Sequence, residues 1–354
     1  MKSSLLSLIF LFIFTVGCKK DPIDKTDFPY ENSYIKLEIA SPLINFTSSI
    51  VDMKFFDEWN GILITYHGQI WSTINKGNSW VLNYSAPYQN EYFHQVLFVD
   101  KNTGYVVGSW GSGSGLGYKP PGGFVLKTTD GGKTWTNILE VKGQVKFYSI
   151  AKNNTGNLFL LQYGHTSGSV VLTKILKSND GGINWTTSTS LNYPLVKITF
   201  SDNFGFCYGG YNPDKAIILR SIDNGDSWDN TAKFDDFKID DIKFSRNTGY
   251  FIMGNSVYQT LNYGGTWNQI NLPKLSRLWG VNPLTASSCL IWGTNNLYLE
   301  EGYFNGYLFQ TLDGGKNWVE HKIKDLPVTT RSSFYSSTEG FILAGDKLIK
   351  VTIK

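Results

Sequence analysis

The residues of this 354-residue chain best suited to acid–base work are two adjacent carboxylate pairs, Asp235–Asp236 and Glu300–Glu301. A glycoside hydrolase needs two such groups about 5–10 Å apart, one to protonate the leaving oxygen and one to act as base or nucleophile. Phe234 and Phe237 flank the first pair, and Tyr303 and Phe304 follow the second within TNNLYLEEGYFNGY (294–307). Aromatic side chains beside carboxylates equally suit a surface that holds a sugar or a peptide without cleaving it. Similar material recurs in SWGSGSGLGYKPPGG (109–123), which carries Trp110 and Tyr118, in YGHTSGSV (163–170), which carries His165, and at Trp279. Trp110, Tyr118, Trp279 and Tyr303 are the candidate stacking anchors, with His165 beside them and Glu300 and Glu301 for polar selection. Tyr88, Tyr92 and His94 form a further aromatic cluster.

Other chemistries find no support. The four histidines, His67, His94, His165 and His321, lack metal-ligand spacing, and there is no CxxC, so neither a metal nor a cofactor is expected. GSGSGLG (111–117) has the glycines of a dinucleotide loop, but PPGG follows it where a helix should start. The net charge is +3 and the basic residues are scattered lysines, which leaves nucleic acid without an electrostatic footprint.

The N-terminus carries an address. Lys2 precedes an apolar run, Leu5 to Val16, that is too short for a stable transmembrane helix and ends in TVGC. Small residues before a cysteine resemble the bacterial lipobox, in which Cys18 is acylated and becomes the first residue of the mature chain. Residues 1–18 are therefore expected to be a lipoprotein signal peptide and 19–33 a polar tether. The domain spans 34–354, held by its lipid anchor alone in the cell envelope, at the outer membrane on its periplasmic or surface face. Cys207 and Cys289 sit in apolar runs of non-adjacent repeats and read as buried free thiols.

The element that must position all of this is a repeat. STINKGNSW (72–80), KTTDGGKTW (127–135), KSNDGGINW (177–185), RSIDNGDSW (220–228), QTLNYGGTW (259–267) and QTLDGGKNW (310–318) share one frame, Ser/Thr-x-Asp/Asn-x-Gly-x-Ser/Thr/Asn-Trp. Asn75, Asp130, Asp180, Asp223, Asn262 and Asp313 can each accept backbone N–H bonds that close a tight turn. The glycine supplies a positive φ. Trp80, Trp135, Trp185, Trp228, Trp267 and Trp318 then open the next strand with a ring to bury. Every letter has a structural task, so these carboxylates are not catalytic candidates. Between turns a second phrase recurs, a strand, a polar turn and an apolar strand ending in Gly, as in QVLFVDKNTGYVVGS (95–109). It occurs seven times, and the six tryptophans lie 39 to 55 residues apart. Four short strands need roughly 40–50 residues, one propeller blade. The seventh unit, 331–353, lacks a last strand, and YIKLEIA (34–40) has the alternation to supply it by pairing with 346–353. The expectation is an all-β, seven-bladed β-propeller of four-stranded antiparallel blades, closed by an N-terminal strand.

The nine-residue phrase resembles the Asp-box, or BNR repeat, of sialidase-like β-propellers. That resemblance implies turns on one rim and ligands on the other, where 109–123, 163–170, 294–307 and Trp279 fall. Sialidases of that kind use three arginines, a Tyr–Glu pair and an acidic Asp. This chain has four arginines, of which Arg220 and Arg246 belong to the turn rim, so the arginine set is incomplete. GYVVG followed by LKTTDGGKTW also resembles the photosystem II assembly or stability factor family and its non-photosynthetic relatives, over about 30–354. That implies a non-catalytic, protein-binding scaffold, monomeric, although the family's arginine patch is largely missing here. A carbohydrate-binding protein or a glycoside hydrolase of the envelope is the alternative.

Overall fold

Seven four-stranded antiparallel sheets stand around a ring in the computed structural model, and the described residues contain no helix. It describes residues 35–42, 46, 48–165, 171–210, 215–234, 239–272, 277–294, 306–323, 329–345 and 347–354. Blades one to six each use four consecutive strands, as in Ile50–Phe55, Gly61–Thr65, Gln69–Thr73 and Val81–Ser85 of blade one. The first strands of neighbouring blades meet around the ring, so they are the innermost. Blade seven combines Thr329–Phe334, Glu339–Ala344 and Lys347–Ile353 with Ile35–Pro42 from the other end of the chain. Ile35 pairs with Ile353, Leu37 with Val351 and Ile39 with Ile349. Ile35 and Leu37 are buried against blade-six residues Trp292 and Leu308. The ring therefore closes as the sequence predicts, a seven-bladed β-propeller.

Six of the blades join their third and fourth strands by the repeated phrase, and the hydrogen bonds explain its letters. In blade two the Thr128 hydroxyl donates to Asp130 Oδ1 (2.8 Å) and accepts from the Gly132 N–H (2.9 Å). Asp130 Oδ1 accepts the N–H groups of Lys133 and Thr134, each at 3.0 Å, while Oδ2 takes the Thr134 hydroxyl at 2.6 Å. Asp180, Asp223 and Asp313 repeat this pattern. Asn75 and Asn262 keep its core through Oδ1, which accepts the N–H of Ser79 and Thr266. These bonds stabilise the ionised form, and the Asp130, Asp180 and Asp313 carboxyls are held down at about 2. Two successive residues of each turn have positive φ, for example Gly131 (76°) and Gly132 (88°). The frame requires glycine only at the second, where each Cα faces a wall of side chains, such as Ile62 beneath Gly132. At the first, Lys76, Asn224 and Tyr263 accept the left-handed conformation.

The inner strands share a feature that the repeat did not announce. Each carries a β-bulge at the same place, at Val51, His94, Tyr148, Val196, Asp240, Trp279 and Thr330. A bulge leaves backbone groups off the ladder and re-aims the strand. Two residues beyond the bulge, an N–H on the open edge of four of these strands is taken up by the preceding blade. Val96 donates to Asp52 Oδ2 (3.1 Å), Ile150 to Gln95 Oε1 (3.0 Å), Ile198 to Ser149 Oγ (3.1 Å) and Ile242 to the Tyr208 hydroxyl (3.1 Å). Phe55 donates to Ser333 Oγ (2.8 Å), lacing blade seven to blade one. Cys207 and Cys289 are free thiols, fully buried in separate blades, and burial holds both well above the ordinary thiol range.

Candidate functional site

Strand direction divides the molecule into two rims. One carries the Trp-ended turns and the loops from first to second strands. The other carries the loops from second to third strands and the connections between blades, including 111–121. Glu300, Glu301, Tyr303 and Phe304, with Asp235, Asp236 and Phe237, lie outside the described residues, as does Cys18. The His165 backbone pairs with Val171 on this opposite rim, and its side chain lies outside the described set.

Trp110, a candidate stacking anchor, is buried. It ends the strand Gly104–Trp110, only 4% exposed, with its ring 4.6 Å from that of Phe124. Its indole N–H donates to Glu91 Oε2 (3.2 Å), and the Lys119 ammonium lies 3.8 Å above the ring. Glu91 is itself buried and accepts the Tyr84 hydroxyl at 2.9 Å; burial raises its pKa, opposed by these two donors. The tryptophan is thus half of a buried polar pair that seats the loop. Asn90 completes the seat, donating to the carbonyls of Gly111 and Lys119 and accepting the Lys119 N–H. The long Gly-rich loop is therefore pinned at both ends, and it presents Tyr118, 39% exposed and lying close over Gly113.

Trp279 occupies the bulge of Arg277–Pro283, partly buried against the core between blades six and seven. The Arg277 guanidinium covers its ring at 4.3 Å, and the buried indole N–H has no partner among the described residues. Two aromatic groups that the sequence did not assemble complete the rim. Tyr66 and His67, at the tip of the blade-one hairpin, meet Tyr92 at ring separations of 4.8 and 5.6 Å. His94 stacks edge-on to Tyr148 at 5.0 Å, and Tyr148 meets Tyr163 at 5.4 Å. An arc of rings thus crosses blades one, two and three beside the pinned loop.

The channel below the arc is ionic. Asp52, Lys197, Asp241, Lys243 and Arg331 come from blades one, four, five and seven, yet they act on one another across it. Loss of solvation raises the Asp52 carboxyl despite Lys197, and lowers the Lys197 ammonium despite Asp52 and Asp241. Lys243 reaches Asp241 at 3.4 Å and donates to Ser332 Oγ at 3.1 Å, spanning from blade five to blade seven. His94 is driven down to about 4 by burial, with Lys146 and Lys197 adding to the effect, so it is neutral at pH 7. The two channel acids are committed: Asp52 accepts the N–H of Met53 and Val96, and Asp241 accepts the Tyr208 hydroxyl. Among the described residues no group of three or more His, Cys, Asp or Glu is arranged to hold a metal ion.

No protein-family model and no curated protein sequence matches the chain. Solved structures do. YCF48 bound to D1 peptide superposes with a TM-score of 0.63 at 18% identity, over 90% of this chain and 97% of that one. The GH74 enzyme of Niastella koreensis gives a TM-score of 0.64 at 15% identity, over 90% of this chain and 53% of the enzyme. A streptogramin B lyase gives 0.63 at 12%, over 91% and 99%. At these identities the likeness is one of fold, and it joins peptide binders and enzymes alike; the chain is similar to all three as a seven-bladed propeller.

Proposed function

We propose that this protein is a non-catalytic binding scaffold of the bacterial cell envelope, anchored by acylated Cys18, that captures a protein segment on the rim opposite the Trp-ended turns. The observation that carries the reading is the aromatic arc Tyr66–His67–Tyr92 and His94–Tyr148–Tyr163 beside Tyr118. Rings held by blades and by a pinned loop supply large contact area at low entropic cost. The commitment of Asp52 and Asp241 to backbone and hydroxyl donors argues against catalysis in the channel. The recurring turns support membership of the Asp-box class, with carboxylates that serve the turn. YCF48, solved with a D1 peptide, is a propeller of similar fold that holds a peptide. Stacking rings also suit sugars, and a glycan is the second reading.

The test is capture from envelope extracts by the wild type, by Tyr92→Ala/Tyr118→Ala, and by Ile222→Ser on the turn rim. The aromatic variant is expected to lose the captured protein while the turn-rim variant keeps it. Equal capture by all three sinks the choice of face. Release of reducing sugar from envelope polysaccharides by the wild type moves the assignment to the enzyme reading. Membrane retention of Cys18→Ala equal to wild type removes the anchor.

A further inference from the structure

The six Trp-ended turns leave one position without a structural task, the residue between the hydroxyl and the Asp or Asn. Its neighbours bond to each other around it, so any side chain is tolerated there. In four of the six turns it is a branched aliphatic, Ile74, Ile222, Leu261 or Leu312, and these are 55–78% exposed. Blade three exposes Ile183 from another position of the same turn. Scattered exposed aliphatics need no explanation, but recurrence at one outward position on one rim does. They are not spread evenly. Blade one adds exposed Trp59, Val81 and Leu82, and blade six adds Val319. Blades six and one are the two that flank blade seven.

Blade seven is where the chain enters. Ile35 pairs with Ile353, at the end of the third strand, so the first strand begins on the turn rim. The described chain therefore starts at Ile35 on the turn rim, between the two apolar sectors. Residues 19–34 extend to about 55 Å at most, which limits how far Ile35 and the turn rim around it can lie from whatever Cys18 is attached to. Several charges in that sector pair with one another: Lys76 and Lys350 both hold Glu58, at 3.2 and 2.9 Å, and Lys350 also reaches Glu339 at 3.3 Å. The Lys76 ammonium further covers the Trp59 ring at 4.0 Å. A surface with aliphatic tips and neutralised charge fits the interfacial zone of a zwitterionic bilayer, where an indole beside an ammonium is at home.

We infer that the turn rim around blades six, seven and one is a membrane-docking face, with Trp59, Ile74, Val81, Leu312 and Val319 entering the headgroup region and the aromatic arc pointing away from the bilayer. This rests on the anchored reading above and adds an orientation to it. Docking is expected to be insensitive to salt, because no cationic excess drives it.

The experiment uses the full acylated protein, purified from membranes and reconstituted into phosphatidylcholine–phosphatidylethanolamine vesicles carrying a brominated lipid. Ile74→Cys, Leu312→Cys and, on the opposite rim, Leu116→Cys are each labelled with an environment-sensitive dye; Cys207 and Cys289 are 0% exposed and stay unlabelled. The dye at positions 74 and 312 is expected to shift to the blue and lose most of its emission to the quencher, and the dye at position 116 to do neither. Acylated protein that floats with the vesicles but shows no quenching at 74 and 312, or quenching only at 116, overturns this inference alone. A Cys18 found by mass spectrometry to carry no acyl chains overturns the anchor and this inference with it. A doubled mass in detergent-free solution that Ile74→Ser/Leu312→Ser abolishes assigns the patch to a second copy and overturns it as well.

Discussion

Asp130 shows why the repeated letters were readable one residue at a time. Its carboxylate accepts four hydrogen bonds within a nine-residue phrase, so everything that determines its role lies beside it in the chain. Asp130→Ala is expected to cost about 1–3 kcal/mol through the orphaned donors. Asp130→Asn should cost less, since Asn75 and Asn262 do the same work through Oδ1; chemical denaturation of the three proteins checks the order. The burial of Trp110 was not legible for the opposite reason. Its partners Glu91, Phe124 and Lys119 come from other strands and a loop, and nothing local marks it as buried. His94 carries a second residue-level prediction. Its folded pKa of about 4 lies below the unfolded value near 6.5, so below pH 6.5 the unfolded chain binds more protons. Stability should fall as pH drops from 6.5 to 4, by at most about 3 kcal/mol from this group, and then level as far as it is concerned. The box carboxylates, held at about 2, begin to lose their contribution only below about pH 5, as the unfolded carboxyls start to take up protons, so the comparison with His94→Gln isolates the imidazole. Melting curves of His94→Gln should be flatter between those pH values, and an unchanged slope removes His94 as the cause.

At the scale of the element, the missing strand was legible because its alternation was complete and the seventh unit stopped one strand short. Deleting 35–42 is expected to lower the melting temperature sharply and to drive association, because it bares the edge of Lys347–Ile353. A calorimetric trace like that of the wild type, with a monomeric mass, contradicts that. The seven bulges escaped notice, since a single added residue breaks the two-residue alternation by which strands are recognised. A signal was nonetheless present. Phe93 and Val96, Phe147 and Ile150, Leu195 and Ile198, Ile239 and Ile242, and Leu278 and Val281 are all buried apolar pairs three apart, a spacing that one strand face allows only across a bulge. The aromatic arc followed from those bulges, because His94 and Tyr148 occupy two of them, and so it stayed hidden with them.

At the scale of the molecule, the ring is closed by pairing rather than by a covalent bond, and the inner strands of blades one to five each borrow an acceptor from the blade before them. Opening one seam frees N–H groups in a region already short of water, which favours opening all seams together or none. Leu37→Ala tests this at a distance. Leu37 is 5% exposed in the closing strand and far from the seams between blades one and five. Its truncation is expected to cost about 3 kcal/mol, which lowers protection against amide exchange roughly a hundredfold wherever exchange requires global opening. The informative amides are Val96, Ile150, Ile198 and Ile242, whose acceptors belong to the preceding blades. If the ring is one cooperative unit, all four lose protection by the same factor as the amides of blade seven. If protection falls in blade seven alone while these four keep theirs, the blades open independently and the side-chain lacing does not couple them. The scaffold role proposed above needs the first behaviour, because independent opening would disperse the rings of the proposed binding face across three blades.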